Sequence, residues 1–133
     1  MDRAWKVGDG AELTKAFSEA EVQMFAAISM DRNPLHLDEE FAAKSVFGAR
    51  VVHGVCVANL FSGILGGILP GPGTIYLAQS LSFKGPVYIG EKVTARVEIT
   101  GIREDKPIVT LSTRCTNEKG DLVVDGEAVV KVP

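Results

Sequence analysis

From Val51 to Leu69 the chain reads VVHGVCVANLFSGILGGIL, a nearly uninterrupted apolar run. A run of this length either spans a bilayer or is buried by the rest of its own chain. His53, Asn59, Ser62 and four glycines interrupt it, and the remaining segments are amphipathic, which favours burial within a folded domain. Burying each of its large apolar side chains is worth roughly 1.5 to 3 kcal/mol. Gly63, Gly66 and Gly67 each cost about 1 kcal/mol relative to Ala inside a helix, so burial wins. The run therefore predicts one long buried helix from Gly54 to Leu69, about 24 Å long at 1.5 Å per residue. Pro70-Gly71-Pro72-Gly73 stops it. The glycines suggest a close approach by another backbone or a ligand, or simple packing of helix on sheet.

Such a helix needs a cover, and the C-terminal half supplies one with a period of two. Thr74 to Phe83 is strand-like, and Val93, Ala95, Val97 and Ile99 alternate with Thr94, Arg96, Glu98 and Thr100. Val109, Leu111, Thr113 and Cys115 repeat the pattern. So do Leu122, Val124, Ala128, Val130 and Val132, after a turn at Asn117 to Gly120. Four C-terminal strands join an N-terminal one near Ala11 to Phe17. The expected architecture is α+β: a curled antiparallel sheet of about five strands wrapped around the helix. At 133 residues, one domain spanning 1–133 accounts for the whole chain. An exposed edge strand would invite a second subunit.

Ahead of the apolar run, Ser18-Glu19-Ala20-Glu21 carries the spacing of a capping box, and Val22, Phe25, Ala26 and Ser29 follow at helical intervals. That helix should end near Met30. Asp31-Arg32-Asn33-Pro34-Leu35-His36 follows, and Asp38-Glu39-Glu40 opens a short acidic-started helix. Asn33 precedes proline, which biases the stretch toward a loop. It sets a carboxylate and one of only two imidazoles five positions apart. If the two converge, one can take a proton from water while the other orients that water or returns a proton to a substrate. The same residue types are ordinary turn formers, and Asp31 as an Asx-turn residue with His36 as a backbone-satisfied imidazole reads equally well from them.

Charge narrows the partners. Lys plus Arg total 14 against 17 Asp plus Glu, a formal net charge of -3 with no basic run, which argues against nucleic acid and anionic membranes and for a small-molecule ligand. The N-terminal residues show no apolar signal core, so cytoplasm is the expected location. Cys56 and Cys115 read as buried free thiols, and two histidines without a cysteine cluster make a structural zinc site unexpected.

With these motifs in place, the whole chain resembles the single-domain MaoC-like (R)-specific enoyl-CoA hydratases of the hydratase 2 type. Their D-x-N-P-x-H signature is matched in full by Asp31, Asn33, Pro34 and His36, and Val52-His53-Gly54 opens the helix. The resemblance extends through Tyr76 to Phe83 and Gly126 to Lys131, and is greatest to members that feed polyhydroxyalkanoate synthesis. It implies a hot-dog fold, an acyl-CoA substrate, a homodimer, and syn addition of water to trans-2-enoyl-CoA giving (R)-3-hydroxyacyl-CoA, without metal or other cofactor. It assigns catalysis to Asp31 and His36. Gly54, at a helix N-terminus, becomes the donor to the thioester oxygen. Asn33 is expected to fix the loop and to touch substrate. Counting along the helix from Gly54 adds Ala58, Ser62 and Leu65 or Gly66 to the substrate path, with Val130 on the last strand, and Ser62 reads equally as orienting the catalytic pair or as a helix hydroxyl bonding its own backbone. His53 is not given an acid–base role. A dehydratase acting on acyl carrier protein, a hot-dog thioesterase and a non-catalytic acyl-CoA-binding module are the competing readings.

Overall fold

The computed structural model describes residues 5–133; residues 1–4, part of the stretch read as lacking a signal core, lie outside them. Strand β1 (Gly10–Ala16) leads to helix α1 (Glu19–Ser29). The capping box forms as the sequence specifies. Ser18 Oγ accepts from the Glu21 N–H at 3.2 Å, and the Glu21 carboxylate accepts from the Ser18 N–H at 3.0 Å. α1 closes at Met30, a left-handed residue with φ 64°.

The stretch expected as a loop contains a short helix, α2 (Pro34–Leu37). Proline restricts the residue before it but is well suited to the first helical position, where its missing N–H is not needed. Asn33 is that preceding residue and caps α2, its Oδ1 accepting from the Leu35 N–H at 3.0 Å. Helix α3 (Glu39–Ala43) is capped by Asp38.

The single long helix is divided. α4 (Gly54–Ala58) and α5 (Leu60–Gly67) meet at Asn59, which keeps helical backbone angles while its side-chain amide donates to the Cys56 carbonyl at 2.9 Å. Phe61, Ile64 and Leu65 of α5 are buried, whereas Ser62, Gly63, Gly66 and Gly67 lie at the surface. Nothing approaches where a Cβ would stand on Gly66 or Gly67, and Gly63 meets only the end of Leu13. No backbone outside their own helix, among the described residues, comes close to these glycines.

The sheet has six strands rather than five. β2 (Ile75–Gln79) and β3 (Ser82–Phe83) divide the run read as one strand, and both pair with β6 (Leu122–Lys131). With β4 (Lys92–Ile102) and β5 (Ile108–Asn117), the order is β1-β4-β5-β6-β2, antiparallel throughout. Val93, Ala95, Val97 and Ile99 turn inward as their alternation requires. In β6 the phase slips. Cys115 faces Val124 and Thr116 faces Leu122, so Val123 is the extra residue of a bulge, and Val123 and Val124 are both buried. α5 packs against β4 and β1, and no helix among the described residues is long and apolar enough to cross a membrane.

Candidate active site

The end of α1 and the start of α2 hold the Asp31 loop through short-range bonds. Ser29 Oγ accepts from the Asp31 N–H at 3.0 Å, and Asp31 Oδ1 accepts from the Asn33 N–H at 3.1 Å. The turn-forming and catalytic readings of Asp31 are thus compatible, because the turn engages one carboxylate oxygen. The other has no protein hydrogen bond among the described residues.

His36 is 9 % exposed, with Nδ1 2.7 Å from the Val51 carbonyl oxygen. A carbonyl only accepts, so Nδ1 carries the hydrogen and Nε2 keeps a basic lone pair. A carboxylate oxygen of Asp31 and a ring nitrogen of His36 lie within 4.8 Å of each other. Two hydrogen bonds of about 2.8 Å meeting at roughly 110° on one water span about 4.6 Å. Up to that limit of separation, one water can bridge the two atoms.

The second imidazole is also here. His53, the residue before α4, places Nε2 3.0 Å from the Asp31 carbonyl oxygen, and its ring stacks on His36 with centroids 3.8 Å apart and planes 24° from parallel. Burial holds its pKa below the ordinary value, opposed by the bond to the Asp31 carbonyl. The sign of the linked stability follows. As pH falls below about 6.5 the unfolded chain binds a proton at this side chain that the folded chain refuses, so stability drops toward acid and is level above about pH 7. Glu19 and Glu21, lowered by hydrogen bonds to Arg50 and Lys15, add a separate loss below the ordinary glutamate value of 4.5. Urea unfolding across this range is expected to resolve the upper step, and His53→Phe to remove it while leaving the lower one.

Asp31, His36 and His53 together offer one ligand atom each within 4.8 Å of one another, a donor set of the kind that binds transition metals. The stacking works against this use, since an ion in the plane of one ring lies off the plane of the other. Burial pushes the Cys56 thiol up to about 11 and the Cys115 thiol to about 12, so both stay protonated and neither is a nucleophile.

A cavity of about 500 Å³ opens beside His36 and Gly54, walled by Leu35, Phe47, Val52, Val57, Phe83 and Val87 among others. The Gly54 N–H heads α4 without an acceptor among the described residues. A Cβ there would sit 2.7 Å from Phe83 Cδ1, so glycine lets the aromatic wall close on the helix end. Ala58 and Ser62 line a different hollow, of about 390 Å³, with Tyr76 and Gln79, on the other side of the exposed Val55 that borders both. Leu65 and Val130 are buried in the core and line neither hollow. The structure thus gathers Asp31, His36 and Gly54, leaves Asn33 as a cap, and sets the other four apart. Sequence reasoning withheld an acid–base role from His53, and the structure makes it a buried imidazole at the head of α4; Phe83 was given no role.

A family model described as MaoC like domain matches residues 6–119. The chain is 59% identical over 128 residues to an (R)-specific enoyl-CoA hydratase of Aeromonas caviae, covering 96% of each. It superimposes with a TM-score of 0.97 and 57% identity on the solved (R)-hydratase from A. caviae involved in PHA biosynthesis, covering 99% of this chain and 100% of that one. It is also 42% identical to a mitochondrial 3-hydroxyacyl-[acyl-carrier-protein] dehydratase of Arabidopsis thaliana, covering 96% of this chain and 78% of that protein.

Proposed function

The chain belongs to the MaoC-like domain family, and on that premise we propose that it is an (R)-specific enoyl-CoA hydratase of hot-dog fold. It adds water syn across the double bond of a trans-2-enoyl-CoA to give the (R)-3-hydroxyacyl-CoA, a precursor for polyhydroxyalkanoate. The observation that carries the reading is that an Asp31 carboxylate oxygen lies no more than 4.8 Å from a His36 ring nitrogen, and that His36 and Gly54 line one cavity.

In this mechanism the water held between Asp31 and His36 gives a proton to the pair as its oxygen bonds to the β-carbon. Electrons move toward the thioester oxygen, to which the Gly54 N–H donates a hydrogen bond that stabilises the developing charge. The pair then delivers a proton to the α-carbon on the same face, so atoms and charge balance without metal or redox chemistry. General acid–base help of this type contributes about 10² to 10⁴ in rate. Asn33 holds the loop beside the substrate. Of the four residues placed on the acyl-tail path, Ala58 and Ser62 border the second hollow and keep that role in this reading through their helical spacing from Gly54, whereas Leu65 and Val130 are core residues that line neither hollow. The enzyme works as a homodimer, a reading supported by the exposed apolar residues Ile75, Tyr76 and Leu77 on edge strand β2, and it resides in the cytoplasm.

The test is to follow the enoyl-thioester absorbance of crotonyl-CoA and longer homologues, analyse product chirality, and sediment the same sample. Loss of absorbance with an (R) product from a dimer is expected. Release of free CoA without hydration, or an (S) product, would sink the reading. The identity to the plant dehydratase supports a second reading, in which acyl carrier protein carries the substrate. A strong preference for the enoyl-acyl-carrier-protein in parallel assays would favour it.

A further inference from the structure

His53 occupies a position where the fold alone would be better served by an apolar ring. It is 2 % exposed, Phe25 of α1 meets it edge-on at 4.8 Å and 61°, and its Nδ1 is buried without a hydrogen-bond partner. A phenyl group would keep that packing and remove the unpartnered Nδ1, at the cost only of the hydrogen bond to the Asp31 carbonyl oxygen. What the imidazole alone supplies is directed at the catalytic loop. Its Nε2 reaches the Asp31 carbonyl oxygen at 3.0 Å, and because that oxygen can only accept, the ring is the Nε2–H tautomer with a bare Nδ1. Its face lies against the face of His36.

We propose that His53 is a positioning residue of the hydration reaction. Held neutral as the Nε2–H tautomer, it pins the Asp31 peptide with its N–H and fixes the plane of the His36 ring with its face. One side chain thereby sets the spacing of both water-holding groups. The inference rests on the hydratase reading. A neutral stacking partner also matters when His36 takes a proton, because an imidazolium against a neutral aromatic face is favoured, whereas two imidazolium rings 3.8 Å apart would repel. The titratable groups facing His53 are Asp31 and His36, while α1 presents Phe25, which does not titrate.

The experiment pairs His53→Phe and His53→Gln with the unmodified enzyme. His53→Phe is expected to stay folded and lose about 10- to 100-fold in kcat, the scale of a misplacement near 1 Å, with KM within about threefold. Its pH–rate profile should shift in the limb that reports the Asp31–His36 pair. His53→Gln, whose amide N–H can reach the same carbonyl, should recover part of kcat. Histidine side-chain nitrogen NMR of the ligand-free protein should show His53 as the neutral Nε2–H form at pH 6 to 9, against an ordinary pKa of about 6.5. Folded variants with kcat within about twofold of the unmodified enzyme and an unmoved profile would overturn the proposal. So would an Nδ1–H tautomer, or an imidazolium formed at the ordinary pKa. Failure of the unmodified enzyme to hydrate any enoyl thioester defeats the hydratase reading, whereas the NMR measurement judges the tautomer at His53 without substrate.

Discussion

Asp31→Asn and His36→Ala are each expected to lower hydration turnover by on the order of 10² to 10⁴ while leaving a folded protein. Asparagine keeps an oxygen to accept from the Asn33 N–H, so the turn survives, and Asp31 is exposed, so little packing is lost. What disappears is the negative charge proposed to hold and polarise the water. His36→Ala removes the basic Nε2 and also strands the Val51 carbonyl, a loss of about 1 to 3 kcal/mol that lowers the melting temperature without abolishing the fold. If both groups act on one water, their removal is not additive. The double variant should then be little slower than the worse single one, because the first substitution already breaks the unit. Steady-state kinetics on crotonyl-CoA with circular dichroism of each variant decides the matter. Near-normal turnover in both singles returns Asp31 and His36 to the role of turn formers.

That ambiguity is present in the sequence, and it marks where period and propensity stop. The capping box at Ser18 and Glu21 was legible because it depends on residues three apart, and so was the inward face of β4, which depends on alternate positions. α2 was missed because Asn-Pro was read for what proline forbids behind it rather than for the helix it opens ahead. Asn59 looked like one tolerated polar residue inside a long helix, yet its amide bonds to Cys56 and the helix is divided there. The site was half legible. Asp31, His36 and Gly54 carry a motif, but the stacking of His53 on His36 joins positions 17 apart in sequence, which neither period nor propensity encodes. Likewise the helical stripe through Ala58 and Ser62 was sound geometry along the helix. It could not say that β2, through Tyr76 and Gln79, shares their hollow while β3, through Phe83, walls the other.

Gly126→Ala is expected to be among the most destabilising single methyl additions in this chain, although Gly126 touches no proposed catalytic atom. It lies in β6 opposite Thr113, and a Cβ built on it would overlap the Ser80 carbonyl oxygen and stand 2.8 Å from the Ser80 carbonyl carbon. Backbone cannot swing aside as a side-chain end can. Ser80 is moreover tied down, its N–H donating to the Glu127 carbonyl at 2.9 Å and its Oγ accepting from the Glu127 N–H at 3.0 Å. Gln79 bridges the Ser80 carbonyl and the buried Thr113 hydroxyl, at 2.8 and 2.9 Å. Admitting one methyl group means lifting the β2–β3 junction from β6 and loosening these bonds. We expect a loss of about 3 kcal/mol, or about 10 °C in melting temperature for a chain of this size. Gly66→Ala is the control, since nothing stands within 4 Å of its Cβ, and in a helix it should be neutral or stabilising by up to about 1 kcal/mol. A melting temperature within about 2 °C of the unmodified protein for Gly126→Ala would show that the junction can yield. The effect should reach the site as well. Phe83 follows Ser80 by three residues, walls the cavity and lies against Gly54, so a displaced junction moves the wall that faces the proposed oxyanion donor. Activity should therefore fall even at temperatures where Gly126→Ala remains folded, with KM and kcat both changed, as expected when a binding wall rather than a proton-transfer group is disturbed.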